Sequence, residues 1–108
     1  MTEEAVIREI TQYDGVELDP KSNDNLAIYS YHDEIMAVVK KGSQPLVIAL
    51  RCDPNLAKLL EDKYESVLPG LKLNRRRFIS IIMTGQLSDD DIKAQIRHAY
   101  EETKETVK

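Results

Sequence analysis

Between residues 26 and 52 the chain carries three apolar, β-prone runs joined by turns too short to hold a helix. Leu26 to Tyr31 and Ile35 to Lys40 are separated by His32-Asp33-Glu34, a hairpin turn. Lys41-Gly42-Ser43-Gln44 makes the next turn, Pro45 opens the third run, and that run ends at Arg51 or Cys52. Strands joined so closely pair antiparallel, because a parallel pair needs a crossover of a dozen residues or more. Any fold for this chain is therefore built around an antiparallel sheet.

Helical patterns flank the strands. Val6, Ile7, Ile10 and Tyr13 fall on one stripe, which predicts a first helix from about Glu3 to Tyr13. Thr2 caps it, acidic Glu3 and Glu4 suit the positive end of its dipole, and Asp14-Gly15 stops it. Asp53-Pro54 pairs a capping side chain with proline at the first helical position, which starts a second helix. Its stripe is Leu56, Leu59, Leu60 and Tyr64, and it ends before Pro69-Gly70. A short strand is expected at Leu71 to Leu73, then a turn near Asn74, then a strong strand from Arg77 to Met83. Ser88 caps the third helix, with Asp91 placed for a capping box. Residues 17–25 read as loop. The fold class that follows is α+β, in the order helix, three strands, helix, two strands, helix.

The chain has 108 residues, which fits one domain spanning 1–108. The start, MTEEAVIREI, lacks the basic, apolar and cleavage regions of a secretory leader, and no apolar run approaches the ~20 residues of a membrane helix. One cysteine excludes an internal disulfide. Together these predict a cytoplasmic protein with no membrane association.

The strands depart from the usual pattern for a two-layer domain, in which the solvent face of an antiparallel sheet is polar. Here Ile35, Ala37 and Val39 alternate with Met36 and Val38, and Leu46, Ile48 and Leu50 alternate with Val47 and Ala49. Three arrangements account for this. Helices cover both faces, short strands tolerate exposed apolar residues, or one face meets a second subunit or a protein partner.

Residues that carry chemistry are sparse. His32 lies in a turn and His98 in a helix, and neither has metal-ligand spacing to another His or Cys. Cys52 precedes a helix start, but Asp53 follows it, so a buried, inert thiol is expected. Asp89-Asp90-Asp91 lack the spacing of a calcium loop and suit a helix N-terminus. No phosphate-binding glycine motif is present. These observations predict no enzymatic activity, no cofactor, no metal and no small-molecule substrate. The most distinctive polar feature is Arg75-Arg76-Arg77, close to Lys72. It reads either as a phosphate-binding edge or as a solvated turn whose arginines pair with the chain's own carboxylates. The net charge of −4 stands against a domain built mainly to neutralise phosphates.

Several segments together resemble the MmcQ/YjbR family. Leu50-Arg51-Cys52-Asp53-Pro54 resembles its Leu-Lys-Cys-Asp-Pro segment. Leu68-Pro69-Gly70 and Leu73-Asn74-Arg75-Arg76-Arg77-Phe78 resemble its Pro-Gly stretch and the Asn-Lys-Arg-His-Trp that follows. Gly85-Gln86-Leu87-Ser88-Asp89 and His98-Ala99-Tyr100 resemble its later turn and helix. Asp14-Gly15-Val16 sits where the family has Pro-Gly-Val. The resemblance implies a two-layer sandwich similar to type III secretion chaperones, with helices packed on an antiparallel sheet. Members are commonly named DNA-binding proteins, which puts forward Asn74, Arg75, Arg76 and Arg77 as nucleic-acid contacts. The function implied is weak DNA binding through a basic turn. The alternative is a homodimer or chaperone-like adapter acting through an apolar sheet face. Phe78 stands in place of the family's Trp and removes an indole donor.

Overall fold

The structure, a computed structural model, describes residues 1–70 and 77–107. Helix α1 (Glu3–Thr11) is capped by Thr2, whose hydroxyl accepts from the Ala5 N–H, and its buried stripe is Val6 and Ile10. Strands β1 (Val16–Leu18), β2 (Leu26–Tyr31), β3 (Glu34–Lys40) and β4 (Val47–Arg51) follow. Helix α2 (Pro54–Lys63) begins where Asp53 accepts from the N–H groups of Asn55 and Leu56. Strands β5 (Val67–Pro69) and β6 (Phe78–Ile82) precede helix α3 (Asp89–Thr106). At the start of α3, Ser88 and Asp91 form a reciprocal capping box.

All pairs are antiparallel and the sheet order is β1-β2-β3-β4-β6-β5. The β2–β3 hairpin turns on His32 and Asp33, both with positive φ (48° and 68°). That hand matches the twist of a tight two-residue hairpin, and His and Asp tolerate it better than most side chains. A bulge at Tyr29/Ser30 lets both Met36 and Ala37 reach the core.

Register assigns the faces. Ala27 lies opposite Val39, Val39 opposite Ile48, Ile48 opposite Ile81, and Ile81 opposite Val67. These side chains form one core with Val6 and Ile10 of α1, Ala57 and Leu60 of α2, and Ile92, Ile96 and Ala99 of α3. All three helices therefore pack on the same face. Among the described residues no helix is long and apolar enough to cross a membrane.

Two strands depart from the sequence expectation. The segment read as loop from residue 17 holds β1, which pairs Val16 with Tyr31 and Leu18 with Tyr29. Three residues are too few for alternation to register, and β1 exists through its pairing with β2. Gly15 aims the chain into it with φ 82°, and a Cβ there would lie 2.7 Å from the Tyr31 ring. The fourth strand expected from the sequence, Leu71 to Leu73, lies outside the described residues; β5, at Val67–Pro69, is a strand the sequence reading does not place. Proline reads as a strand breaker, yet β5 is the outermost strand, where a missing N–H costs no ladder bond. Tyr64, placed by its spacing on the α2 stripe, is the extended C-cap of that helix.

Gly70 makes the closest backbone approach. Its N–H donates to the Phe78 carbonyl at 2.9 Å, and a Cβ would stand 2.5 Å from the Phe78 Cβ. Gly70→Ala should lower the unfolding free energy by roughly 1–3 kcal/mol, the usual cost of overpacking. A urea midpoint equal to that of the parent protein would refute this close approach.

Candidate interaction surface

The sheet face away from the helices carries Ile28, Val38, Ala49, Ser80 and Leu68 in a row across five strands. A parallel row holds Leu26, Lys40, Val47 and Ile82. A third brings Arg51 opposite Phe78. None of these side chains belongs to the core that the helices share with the sheet. The large aliphatic residues are half-buried or, like Leu68 at 41%, exposed. Ala49, Ser80 and Phe78 on this face are buried, at 4%, 0% and 5%. Among the described residues no helix lies on this face. Of the three arrangements the sequence left open, helices on both faces is the one the described elements do not adopt.

At one end of this face Arg51 is tightly held. Its guanidinium stands 4.8 Å from the centre of the Phe78 ring. Its Nε donates to the Ile35 carbonyl at 2.8 Å, and its terminal nitrogen lies 3.4 Å from the Glu34 carboxylate. Burial lowers its pKa, Glu34 opposes that shift, and the charge of Arg77 adds to it. Arg77 itself is exposed immediately before β6, and its carbonyl accepts from the Cys52 N–H at 2.8 Å. It is the one member of the expected contact set within the described residues; Asn74, Arg75 and Arg76 lie outside them. Arg51 was missed as a member of this cluster because only the β4–β6 register brings it beside Phe78. The signal in the sequence was its place at the end of a β-prone run, and that does not identify a cross-strand neighbour.

The remaining polar candidates are engaged structurally. His98 Nε2 accepts from the Asp53 N–H at 3.2 Å and lies 3.8 Å from Glu102, so it joins α3 to the start of α2. Asp89, Asp90 and Asp91 occupy the first turn of α3. Among the described residues no group of three His, Cys, Asp or Glu side chains is placed to hold a metal ion. Cys52 is buried in the core. Its thiol is pushed up to about 12, by burial first and then by Asp53, Glu102 and Glu61. At pH 8 that leaves on the order of one thiolate in ten thousand. Folded protein should therefore resist a maleimide for hours at pH 8, whereas protein in 8 M urea reacts within minutes. Rapid labelling of the native form would contradict the buried placement of Cys52.

The surface can be set beside known proteins. The Escherichia coli K12 protein designated uncharacterized protein YjbR is 25% identical over 100 residues, or 89% of this chain and 85% of the relative. The protein of the same designation from E. coli O157:H7 matches to the same extent. A crystal structure of a Deinococcus radiodurans protein superposes with a TM-score of 0.79 at 17% identity, over 92% of this chain and 75% of that one. A crystal structure of a Pseudomonas syringae protein superposes at 0.78 with 19% identity, over 95% and 99%. At such identities the likeness is one of fold. The YjbR family profile matches residues 11–102, a span that includes every strand of the sheet, all of α2 and most of α3. On that match, the chain belongs to the YjbR family.

Proposed function

We propose that this protein is a non-enzymatic, cytoplasmic interaction module that holds a partner polypeptide on the helix-free face of its sheet. The observation that carries this reading is the one-sided placement of the helices. Strands β2 to β6 present apolar side chains on both faces, and α1, α2 and α3 all bury themselves against one of them. A monomer gains nothing from aliphatic side chains left in water, whereas a protein-binding surface uses them. The engaged state of His98 and the raised pKa of Cys52 supply neither a base nor a nucleophile, which fits a binding role. A single, buried cysteine suits a reducing compartment. Benzoylphenylalanine placed at Val38 should give a discrete cross-linked adduct in cells, and Val47→Glu in the same protein should reduce it at least fivefold. The same probe at the exposed Ala94 on α3 gives the background. Val38 yields no higher than at Ala94 would end this reading.

A second reading, weak DNA binding, is favoured by the exposed Arg77 standing close enough to Arg51 to depress its pKa. Two cations held together at a sheet end can meet a phosphate backbone. The net charge of −4 weighs against it, and Arg51 is already partnered by Glu34. If three phosphates are neutralised, log affinity for duplex DNA falls with log salt at a slope near −2.7, about 0.9 per contact. Replacing Arg75, Arg76 and Arg77 by Ala should flatten that slope. Binding that is absent at low salt, or indifferent to the triple replacement, removes DNA from consideration.

A further inference from the structure

Where β4, α2 and α3 meet, one imidazole nitrogen has two competing partners. The Asp53 N–H donates to His98 Nε2 at 3.2 Å, and a Glu102 carboxylate oxygen lies 3.8 Å from the same nitrogen. A backbone N–H can only donate, so Nε2 accepts from it and the ring's own proton sits on Nδ1. An ionised carboxylate can only accept, so it pairs with Nε2 only when that nitrogen carries a proton. The two partners therefore demand opposite states of one atom. With the ring neutral, the Asp53 N–H is satisfied and Glu102 stands beyond hydrogen-bond length. With the ring protonated, Nε2–H and the Asp53 N–H are two donors facing each other. Glu102, one turn along α3, is then the acceptor beside the ring.

The surroundings admit the proton. The His98 side chain is 27% exposed. Between pH 5 and 8 histidine is the side chain whose charge ordinarily changes. Every element around the junction contributes charge: Glu102 on α3, Asp53 and Glu61 on α2, Arg51 at the end of β4 and Arg77 before β6. Three carboxylates stand against two guanidiniums, so an imidazolium is received rather than expelled. The Cys52 thiol, pushed up to about 12, stays neutral. Arg97 and Glu101 pair with each other near Tyr13, on the α1 side of α3.

The bond holds the start of α2. That helix packs on β5 and β6, whereas α3 packs on β2, β3 and β4. The His98–Asp53 bond joins the two helices, which lie over different strands. The Asp53 carbonyl also accepts from the Ala57 N–H at 2.8 Å, the first turn of α2. Asp53 is thus the point at which β4 ends, α2 begins and α3 is attached.

We propose that His98 is a pH-operated latch between α3 and the start of α2. The neutral ring holds the Asp53 N–H. On taking up a proton it turns to Glu102 and releases the first turn of α2. The device is reversible, needs no ligand and is independent of the binding role proposed for the sheet. Protein labelled with ¹⁵N and ¹³C tests it between pH 8 and pH 5. At pH 8 the ring nitrogens should show the Nδ1–H tautomer, and a scalar coupling across the hydrogen bond should link the Asp53 nitrogen to His98 Nε2. Both should be lost once the ring is protonated. The Asp53 amide and the Glu102 carboxyl carbon should shift with one common midpoint, that of the His98 ring. Exchange of the Ala57 amide, corrected for its intrinsic pH dependence, should rise at least about threefold. His98→Gln, whose amide oxygen can take the Asp53 N–H at any pH, should abolish the common inflection, and His32→Gln should leave it. An Nε2–H tautomer at pH 8, no coupling to Asp53, or an Asp53 inflection that survives His98→Gln would overturn the proposal. So would a Glu102 carbon that does not follow the ring. Unchanged Ala57 exchange would reduce the bond to a titrating contact and remove the latch.

Discussion

Register across the central strands is the constraint on which the rest of the molecule depends. Val39 opposite Ile48 and Ile48 opposite Ile81 place the β-branched side chains under α1 and α3. A slip of one residue would exchange the faces. In most sheets the contrast between apolar and polar faces prevents this, but here both faces are largely aliphatic. The contrast that remains is a few polar residues: Ser30 on β2, Lys40 on β3, Arg51 on β4 and Ser80 on β6 all fall on the face away from the helices. Burying Lys40 or Arg51 beneath α3 without a partner would cost several kcal/mol, so these few side chains decide the orientation of the whole sheet. The hairpin at His32-Asp33 and the bulge at Tyr29/Ser30 hold that choice locally.

Once the faces are assigned, the helices are tied down by a few polar contacts at the strand ends. Asp53 caps α2 with its carboxylate and gives its own N–H to His98 of α3. That contact links the end of β4 to two helices. Two residues further along α3, Tyr100 gives its hydroxyl hydrogen to the Asp14 carbonyl at 2.7 Å, stacks on Tyr13, and meets Tyr31 edge-on. The turn after α1, the end of β2 and α3 are thereby joined. The same residues that end or start elements in the sequence are the ones that bind elements together in space.

How much of this could be read from the sequence follows from the range of each interaction. Caps act over three or four residues, so Thr2, Asp53 and Ser88 mark their helices without help from the fold. The 26–31 strand was legible to its ends, because six apolar, β-prone residues lie between turn formers. β1 and β5 were not, since each has three residues and owes its existence to one long-range pairing. The candidate surface divides in the same way. Alternation revealed that both faces were apolar, but not that the three described helices would share one of them, because that depends on where α2 lands after β4. The basic cluster was legible as a run, while the nearness of its one described member, Arg77, to Arg51 comes from the pairing of β4 with β6.

The sheet edges bear on how a partner could be held. Strand addition needs a free run of backbone groups at an edge. β5 offers three residues that include Pro69, and Gly70 beyond it is already bonded to Phe78. At the other edge β1 is equally short. Where it stops, the loop takes up the exposed side of β2: Asp19 N–H donates to the Ile28 carbonyl at 2.7 Å, and the Ile28 N–H donates to the Ser22 hydroxyl at 2.8 Å. Asn23 N–H then donates to the Leu26 carbonyl. Both edges are thus short, proline-bearing or already satisfied, which is how natural sheets avoid edge pairing. A partner held through backbone bonds has little to grip, whereas one held through side chains has the aliphatic face.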